Sequence, residues 1–188
     1  MKKRFLSLIM IPMCIFLFAC SPKNELGIYE KEEEDMVTLD VWGDTSGFST
    51  VEVNQITLTG AKDSEFVCST STQDPGKEGN FIFRSTPYSS ETSVTVSSGT
   101  TVFWSYRHYD ENGMLTAGSD TVWLEFINRK DSDIIGYAVV KVEKLGYCNY
   151  EAEVIKAVSF PKVNGKYQEV TEEQVNQLID SAKEISSQ

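Results

Sequence analysis

The chain has 188 residues and a formal net charge of −11, from 17 Lys and Arg residues and 28 Asp and Glu residues. This length suits one domain with a single hydrophobic core. Nucleic-acid binding depends on clustered Lys and Arg, so the acidic composition argues against a nucleic-acid partner. It also argues against attachment to an anionic lipid surface by charge alone.

The N-terminus resembles the signal sequence and lipobox of bacterial lipoproteins. A basic start at residues 1–4 is followed by an apolar run over residues 5–18, and the small Ala19 stands directly before Cys20. The run is shorter than the ~20 residues that a transmembrane helix needs, which favours a cleaved signal over an uncleaved anchor. The resemblance implies that residues 1–19 are a signal peptide and that a diacylglyceryl group is attached to the Cys20 sulfur. The protein would then be anchored through acylated Cys20 in the lipid of the cell membrane or outer membrane.

The segment after the predicted cleavage site is polar and acidic. Removing residues 1–19 leaves 169 residues with a net charge of −14, because three positive charges leave with the signal. Residues 20–35 contain few apolar side chains and end in the acidic run 30–35. Such a segment cannot bury enough apolar surface to offset the entropy cost of ordering it. We therefore predict a lipidated cysteine followed by a flexible tether over residues 20–35.

Processing would leave two cysteines in the mature chain, Cys68 and Cys148. An exported protein folds where disulfides persist, so these two residues are a candidate bridge. The bridge would close a loop of about 80 residues and contribute up to ~4.5 kcal/mol by the chain-entropy relation. The alternative is a pair of buried free thiols, which pack as small hydrophobic groups. The sequence leaves both alternatives open, because it does not fix the geometry of the pair.

After the tether, the hydrophobic pattern changes to a period of two. Val37, Leu39 and Val41 alternate with polar residues, which is typical of a half-buried strand. Similar short segments follow, separated by turn residues, and the longest apolar one, residues 134–145, is predicted to be a central strand. No helical pattern separates these strands. The predicted fold class is therefore mainly β, an antiparallel β-sandwich over residues 36–188.

Three residues of this domain occur in an order found in immunoglobulin domains. Cys68, Trp104 and Cys148 follow one another along the chain, although Gly146 occupies the position two residues before the second cysteine where antibody-type domains carry a tyrosine. The sequence in this respect resembles an immunoglobulin domain. The resemblance implies an Ig-like form of the sandwich.

The C-terminal segment has a helical pattern instead. Thr171 and Gln174 have the spacing of a capping box, which predicts an amphipathic helix over about residues 171–186. Apolar residues then fall on one stripe at helical spacing: Val175, Leu178, Ile179, Ala182 and Ile185. We expect this stripe to close an open edge or end of the sandwich, and a partner-binding helix is the alternative.

Two tryptophans are candidate ligand-binding residues. If the apolar residues beside them face the core, Trp42 and Trp123 point away from it on the same strands. Exposed tryptophans on a sheet offer a flat surface to a sugar ring or a protein partner. The alternative is that a second layer, such as the C-terminal helix, covers them.

The sequence contains little that points to catalysis. His108 is the one histidine, and no Gly-x-Ser-x-Gly motif accompanies it, so we predict no catalytic residues. One histidine and two distant cysteines do not form a recognisable zinc site, and Asp131 with Asp133 lack the spacing of a dedicated calcium loop. We predict no metal and no cofactor.

These patterns together predict a membrane-anchored lipoprotein of the cell envelope. Its extracytoplasmic β-sandwich is expected to act as a non-catalytic binding module for a glycan or protein ligand. The alternatives are a structural or assembly component of the envelope, and a hydrolase of envelope or extracellular glycans, since Glu and Asp are plentiful and their pairing is spatial.

Overall fold

The computed structural model describes residues 23–30, 38–44, 53–72, 81–84, 93–106, 120–146 and 149–187. The predicted signal peptide and Cys20 lie outside these residues. The described part forms nine strands and one helix: β1 Thr38–Asp44, β2 Val53–Thr59, β3 Glu65–Thr72, β4 Phe81–Arg84, β5 Val94–Ser97, β6 Thr100–Tyr106, β7 Asp120–Lys130, β8 Asp133–Gly146, β9 Asn149–Ser159 and α1 Glu172–Ser186.

The strands form two antiparallel sheets. One sheet has four strands in the order β1-β2-β6-β4, and the other has five in the order β5-β3-β7-β8-β9. β8 contains the long apolar stretch and lies between β7 and β9, so the prediction of an interior strand there is confirmed. The mainly β, antiparallel fold class is likewise confirmed.

The core between the sheets is formed by the residues on the inward-facing side of the strands, where apolar and other residues alternate along the chain. The four-stranded sheet contributes Ile56, Leu58, Phe83, Val102 and Trp104. The five-stranded sheet contributes residues including Phe66, Cys68, Val122, Leu124, Phe126, Ala138 and Val140. The rings of Phe83 and Phe126 meet across the two sheets with centroids 6.5 Å apart and planes at 62°, a T-shaped contact. The two sheets therefore pack face to face as a sandwich.

Helix α1 forms a third layer on the outer face of the five-stranded sheet. It packs over β7, β8 and β9. Its buried residues Val175, Ile179 and Ala182 join a second apolar cluster with residues of the sheet: Trp123, Ile127, Tyr137, Val139 and Val158. The expectation that the helix closes an edge or end of the sandwich is therefore wrong, because it covers a face.

The predicted start of the helix is confirmed in detail. The Thr171 side chain accepts a hydrogen bond from the Gln174 backbone N–H at 3.2 Å, and Gln174 Oε1 accepts one from the Thr171 backbone N–H at 2.9 Å. This reciprocal pair is a capping box. On the predicted stripe, Leu178 is half-buried and Ile185 is 75% exposed. The apolar stripe therefore leaves the sheet near the end of the helix.

Residues 23–30 were expected to belong to the flexible tether, and this part of the prediction is wrong. Asn24 Oδ1 accepts hydrogen bonds from the backbone N–H groups of Leu26 and Ile28, each at 3.0 Å, which folds the segment into a turn. Ile28 is buried in the second apolar cluster. Tyr29 exchanges two hydrogen bonds with the Gln168 side chain, both at 3.0 Å. The ordered domain thus begins before residue 36.

Candidate functional site

A groove of about 610 Å³ lies beside the C-terminal end of α1. Its lining residues come from β3, β7 and the last turns of the helix: Ser71, Thr72, Trp123, Asp180, Lys183, Glu184 and Ser187. Ser71 stands directly opposite Trp123 in the β3–β7 ladder, which places both on the outer face of the sheet. The helical residues repeat at intervals of three or four, so they share one side of α1. The groove is therefore formed where this side meets β3.

A half-buried ion-pair cluster forms one wall of the groove. Lys183 Nζ lies 2.8 Å from Glu125 Oε1 and 2.7 Å from Asp180 Oδ1. Ser71 accepts a hydrogen bond from Lys183 Nζ at 3.2 Å and donates one to Glu125 Oε1 at 2.5 Å. The side chains of Lys183 and Glu125 are only 18% and 15% exposed. The cluster ties the last turns of α1 to strands β3 and β7.

Lys183 remains a cation in this environment. Burial by itself would lower the pKa of Lys183, but hydrogen bonds to Asp180 and Glu125 and the charges of both carboxylates outweigh it, so the pKa lies above its ordinary value of 10.5. Its position in the last turn of the helix also suits a positive charge, because carbonyl groups there form the negative end of the helix dipole. The wall of the groove therefore holds a fixed positive charge between two carboxylates.

Trp123 is buried, which decides between the two alternatives that the sequence left open, an exposed binding residue and a residue covered by a second layer. Its side chain is only 6% exposed, because α1 covers the outer face of β7. Its indole Nε1–H is buried and has no hydrogen-bond partner among the described residues. For Trp123, the alternative prediction of a covering helix is the one that the structure supports. The backbone of Trp42 pairs with Gln55 in β1–β2, and the Trp42 side chain lies outside the described residues.

A second, smaller cavity of about 300 Å³ lies on β8 and β9, lined by Lys141, Glu143, Glu151, Ala152 and Glu153. Lys141 pairs with Glu143 at 2.5 Å and donates to the Ser186 carbonyl at 3.5 Å, so this patch also adjoins the end of α1. Within the described ranges, no group of three or more His, Cys, Asp or Glu side chains could hold a metal ion. Asp131 belongs to the tight β7–β8 turn with a φ of 51°, and it is exposed there.

Of the two cysteines of the candidate disulfide, the structure describes Cys68. Cys68 is a free thiol in the core between the sheets, where burial raises its pKa to about 12. In the five-stranded sheet, Cys68 pairs with Phe126, and Phe126 pairs with Ala138 of β8. Gly146 lies eight residues beyond Ala138 on the same strand, a length of roughly 26 Å. Cys148 lies outside the described residues, so its pairing with Cys68 stays a prediction.

Apart from Trp123, the residues that build the groove were not predicted from the sequence. Asp180, Lys183 and Glu184 lie beside the apolar stripe of the helix. Their spacing of three or four residues could have predicted that they share one side of the helix. Ser71 carried no such signal, because its pairing with Trp123 depends on the order of the strands. His108, the remaining candidate for acid–base chemistry, lies outside the described residues.

No protein family, curated protein or solved structure matches this chain. In the part of the chain that the structure describes, no helix combines the length and the apolar character that crossing a bilayer requires.

Proposed function

We propose that this protein is a lipid-anchored lipoprotein of the cell envelope whose sandwich domain binds a hydroxyl-rich ligand, such as a glycan. The binding site is the groove at the C-terminal end of α1. The observation that carries this proposal is the composition of the groove, which combines hydroxyl groups, carboxylates and a lysine around one tryptophan.

The chemistry of the groove suits hydrogen bonding to sugar hydroxyl groups. A sugar hydroxyl both donates and accepts, so it complements the hydroxyl of Ser187 and the carboxylates of Asp180 and Glu184. The Asp180 side chain is 65% exposed and Glu184 is exposed, which leaves both within reach of a ligand. Because Trp123 is covered by the helix, the ligand is held by polar contacts at the rim and not by stacking on an indole ring.

The ion-pair cluster supports a binding role and not a catalytic one. Glu125 Oε1 is occupied by Lys183 and Ser71, both of them groups of the protein itself. A glycoside hydrolase uses two carboxyl groups that act on the substrate, one of them as a proton donor. Glu125 instead joins the helix to the sheet. The groove thus has a rigid wall on which exposed polar groups are presented.

The order of the strands supports an Ig-like form of the sandwich, which we include in the proposal. If β5 and β9 are left out, the seven remaining strands can be lettered A to G in chain order. The first sheet, β1-β2-β6-β4, then has the order ABED, and β3-β7-β8 of the second sheet have the order CFG, as in an immunoglobulin constant-type domain. β5 and β9 extend the second sheet at its two edges. Sandwiches of this kind are frequent in cell-surface domains.

Carbohydrate binding tests the function of the groove. The acylated protein in detergent is screened against an array of glycans, and the affinity of the ligands found is measured by calorimetry. Asp180→Asn combined with Glu184→Gln should weaken binding by about tenfold or more, as expected when hydrogen bonds to charged groups are lost. Glu151→Gln combined with Glu153→Gln, at the smaller cavity, is the matched control. Equal binding by all three proteins, or no glycan bound at all, would contradict the proposed site.

The membrane anchor is tested separately by intact mass. We expect a mature chain that begins at Cys20 and carries acyl groups, and Cys20→Ser should abolish its recovery in the membrane fraction. Two buried acyl chains are enough for stable anchoring, since each buried methylene contributes about 0.8 kcal/mol. A mature N-terminus at another residue would refute the anchor and leave the groove untouched.

A further inference from the structure

The docked N-terminal segment leaves a very short link to the proposed anchor. Lys23–Glu30 is folded onto the domain, so only residues 20–22 separate the Cys20 sulfur from an ordered part of the protein. Three extended residues span at most about 10 Å. A free tether over residues 20–35 would instead allow the domain to move far from the bilayer.

The segment is held at one particular place on the domain. The Gln168 side chain hydrogen bonds to both backbone groups of Tyr29 and donates a third hydrogen bond to the Pro161 carbonyl at 3.1 Å. Residues 161–168 form a loop with a tight turn closed between Val163 and Lys166. This loop leads directly into α1. The two segments, residues 23–30 and residues 161–168, therefore form one surface near the start of the helix, which we call the basal surface.

The basal surface carries side chains suited to a lipid headgroup region. Lys23 lies over the ring of Tyr29 with Nζ 4.7 Å from the centroid, and Lys162 lies over Tyr167 at 4.4 Å. Tyrosine and lysine both place an apolar body below a polar tip, which is the arrangement favoured at membrane interfaces. Val163, at the turn, is 39% exposed.

Charge on the basal surface is balanced, in contrast to the acidic chain as a whole. Its basic groups are Lys23, Lys162 and Lys166, and its acidic groups are Glu25 and Glu30. Glu169 follows the loop directly. Glu172 and Glu173 in the first turn of α1 adjoin this surface, and the acidic run of residues 30–35 begins at Glu30, so contact with the bilayer would depend on the tyrosine and lysine side chains and on the anchor, and not on net charge.

The candidate binding groove lies at the other end of the helix. α1 has 15 residues, which corresponds to a length of about 22 Å. It begins beside the basal surface and ends at the groove. The groove is thus farther from the basal surface than the link of residues 20–22 can reach.

We propose that the basal surface lies against the lipid bilayer and that the groove is held facing away from it. This inference rests on the proposed acylation of Cys20. In this arrangement, residues 23–30 fix the orientation of the domain relative to the bilayer, whereas a flexible spacer would let the domain rotate. A ligand would then be met on the side of the protein away from its own membrane.

Fluorescence quenching by lipids tests the orientation. Variants Val163→Cys and Ile185→Cys, each with one new exposed cysteine, are prepared in the acylated protein with Cys148→Ser, in which the remaining free thiol, Cys68, is buried and not labelled. They are labelled with a small fluorophore and placed in vesicles with quenchers on the lipid headgroups. Val163 is on the basal surface, and the exposed Ile185 is near the groove. The Val163 probe should lose most of its fluorescence and the Ile185 probe should lose little. Equal quenching, or stronger quenching at Ile185, would overturn the orientation.

Undocking the segment provides the second test. Gln168→Ala removes the three hydrogen bonds to Tyr29 and Pro161 and should make the quenching of the two probes more alike, and Gln177→Ala, on an exposed part of the helix, should change nothing. Unchanged contrast in Gln168→Ala would refute the role of the docked segment. Intact mass of every sample shows whether Cys20 is acylated, so failure of the anchor and failure of the orientation are distinguished.

Discussion

The two faces of the five-stranded sheet carry similar apolar residues but pack against different structural elements. The inner face, with Val122 and Phe126, packs against the second sheet. The outer face, with Trp123 and Ile127 on the same strand, packs against α1. The helix covers the apolar part of this face, and polar side chains surround its C-terminal end. The candidate groove therefore lies at the end of α1, where the helix no longer covers the sheet.

This difference shows that strand alternation identifies two faces without saying what covers each of them. On β8, buried residues occupy both faces without interruption over residues 134–140. Such a continuous apolar run is the pattern of a strand that is covered on both sides. The sequence thus contained evidence of a second layer, and the exposed position of Trp123 was the wrong alternative.

The largest loss of stability is expected on the inner face. Phe126→Ala would leave a cavity beside Phe83 in the core between the sheets and should lower the free energy of unfolding by about 3–5 kcal/mol. Phe126→Leu keeps part of the volume and should cost less. Urea unfolding followed by circular dichroism measures both variants. A loss below about 1 kcal/mol in Phe126→Ala would mean that the sheets do not pack as described.

A somewhat smaller loss is expected under the helix. Ile179→Ala removes a buried side chain between α1 and the sheet and should cost about 2–4 kcal/mol, because a single helix relaxes more readily than a sheet does. Ile185→Ala is the matched control, since its side chain is 75% exposed, and it should change stability by no more than about 0.5 kcal/mol. Equal effects of the two substitutions would show that the helix does not lie on this face.

The smallest loss is expected at the ion-pair cluster. Lys183→Met keeps the apolar stem, removes the charge opposite Glu125, and should cost about 1–2 kcal/mol at neutral pH, between the values for exposed and buried pairs. Lys62→Met, at an exposed lysine, should have little effect. Urea unfolding at neutral pH compares the two variants with the wild type.

The same pair has a defined pH dependence. Because the pKa of Lys183 in the folded state lies above 10.5, the folded protein holds this proton more tightly than the unfolded chain. The stability that it contributes is fully present below pH 10.5 and is lost as the pH rises through the folded-state value. The difference in stability between the wild type and Lys183→Met should therefore be constant from neutral pH to about pH 10 and shrink above it. A constant difference up to strongly alkaline pH would contradict the ion pair.

Local patterns predicted the individual elements well because those patterns depend on neighbours in the sequence. Thr171 and Gln174 lie three residues apart, so their capping box is visible without the fold. The alternation of Val122, Trp123 and Leu124 likewise reports a strand with two faces. The candidate groove was not visible in this way, since Ser71 and Lys183 are 112 residues apart in the chain.

The N-terminal segment shows why composition alone was insufficient. Residues 20–35 are polar on average, which predicted a flexible tether. One buried side chain, Ile28, and one distant glutamine, Gln168, hold residues 23–30 on the domain. Neither contact could be expected from composition, because each depends on a partner far away in the chain.

The sequence by itself determined the antiparallel β class, the C-terminal helix with its cap, and the pattern on which the prediction of a lipid anchor rests. Each of these is a property of neighbouring residues. Only the tertiary structure decided that α1 covers a face of the sheet, that Trp123 is core, that Cys68 lies far from the residues flanking Cys148, and that residues 23–30 belong to the domain. The physical reason is that strand order and register bring together residues that no local pattern relates. They also decide which of the two faces of each strand remains in contact with water.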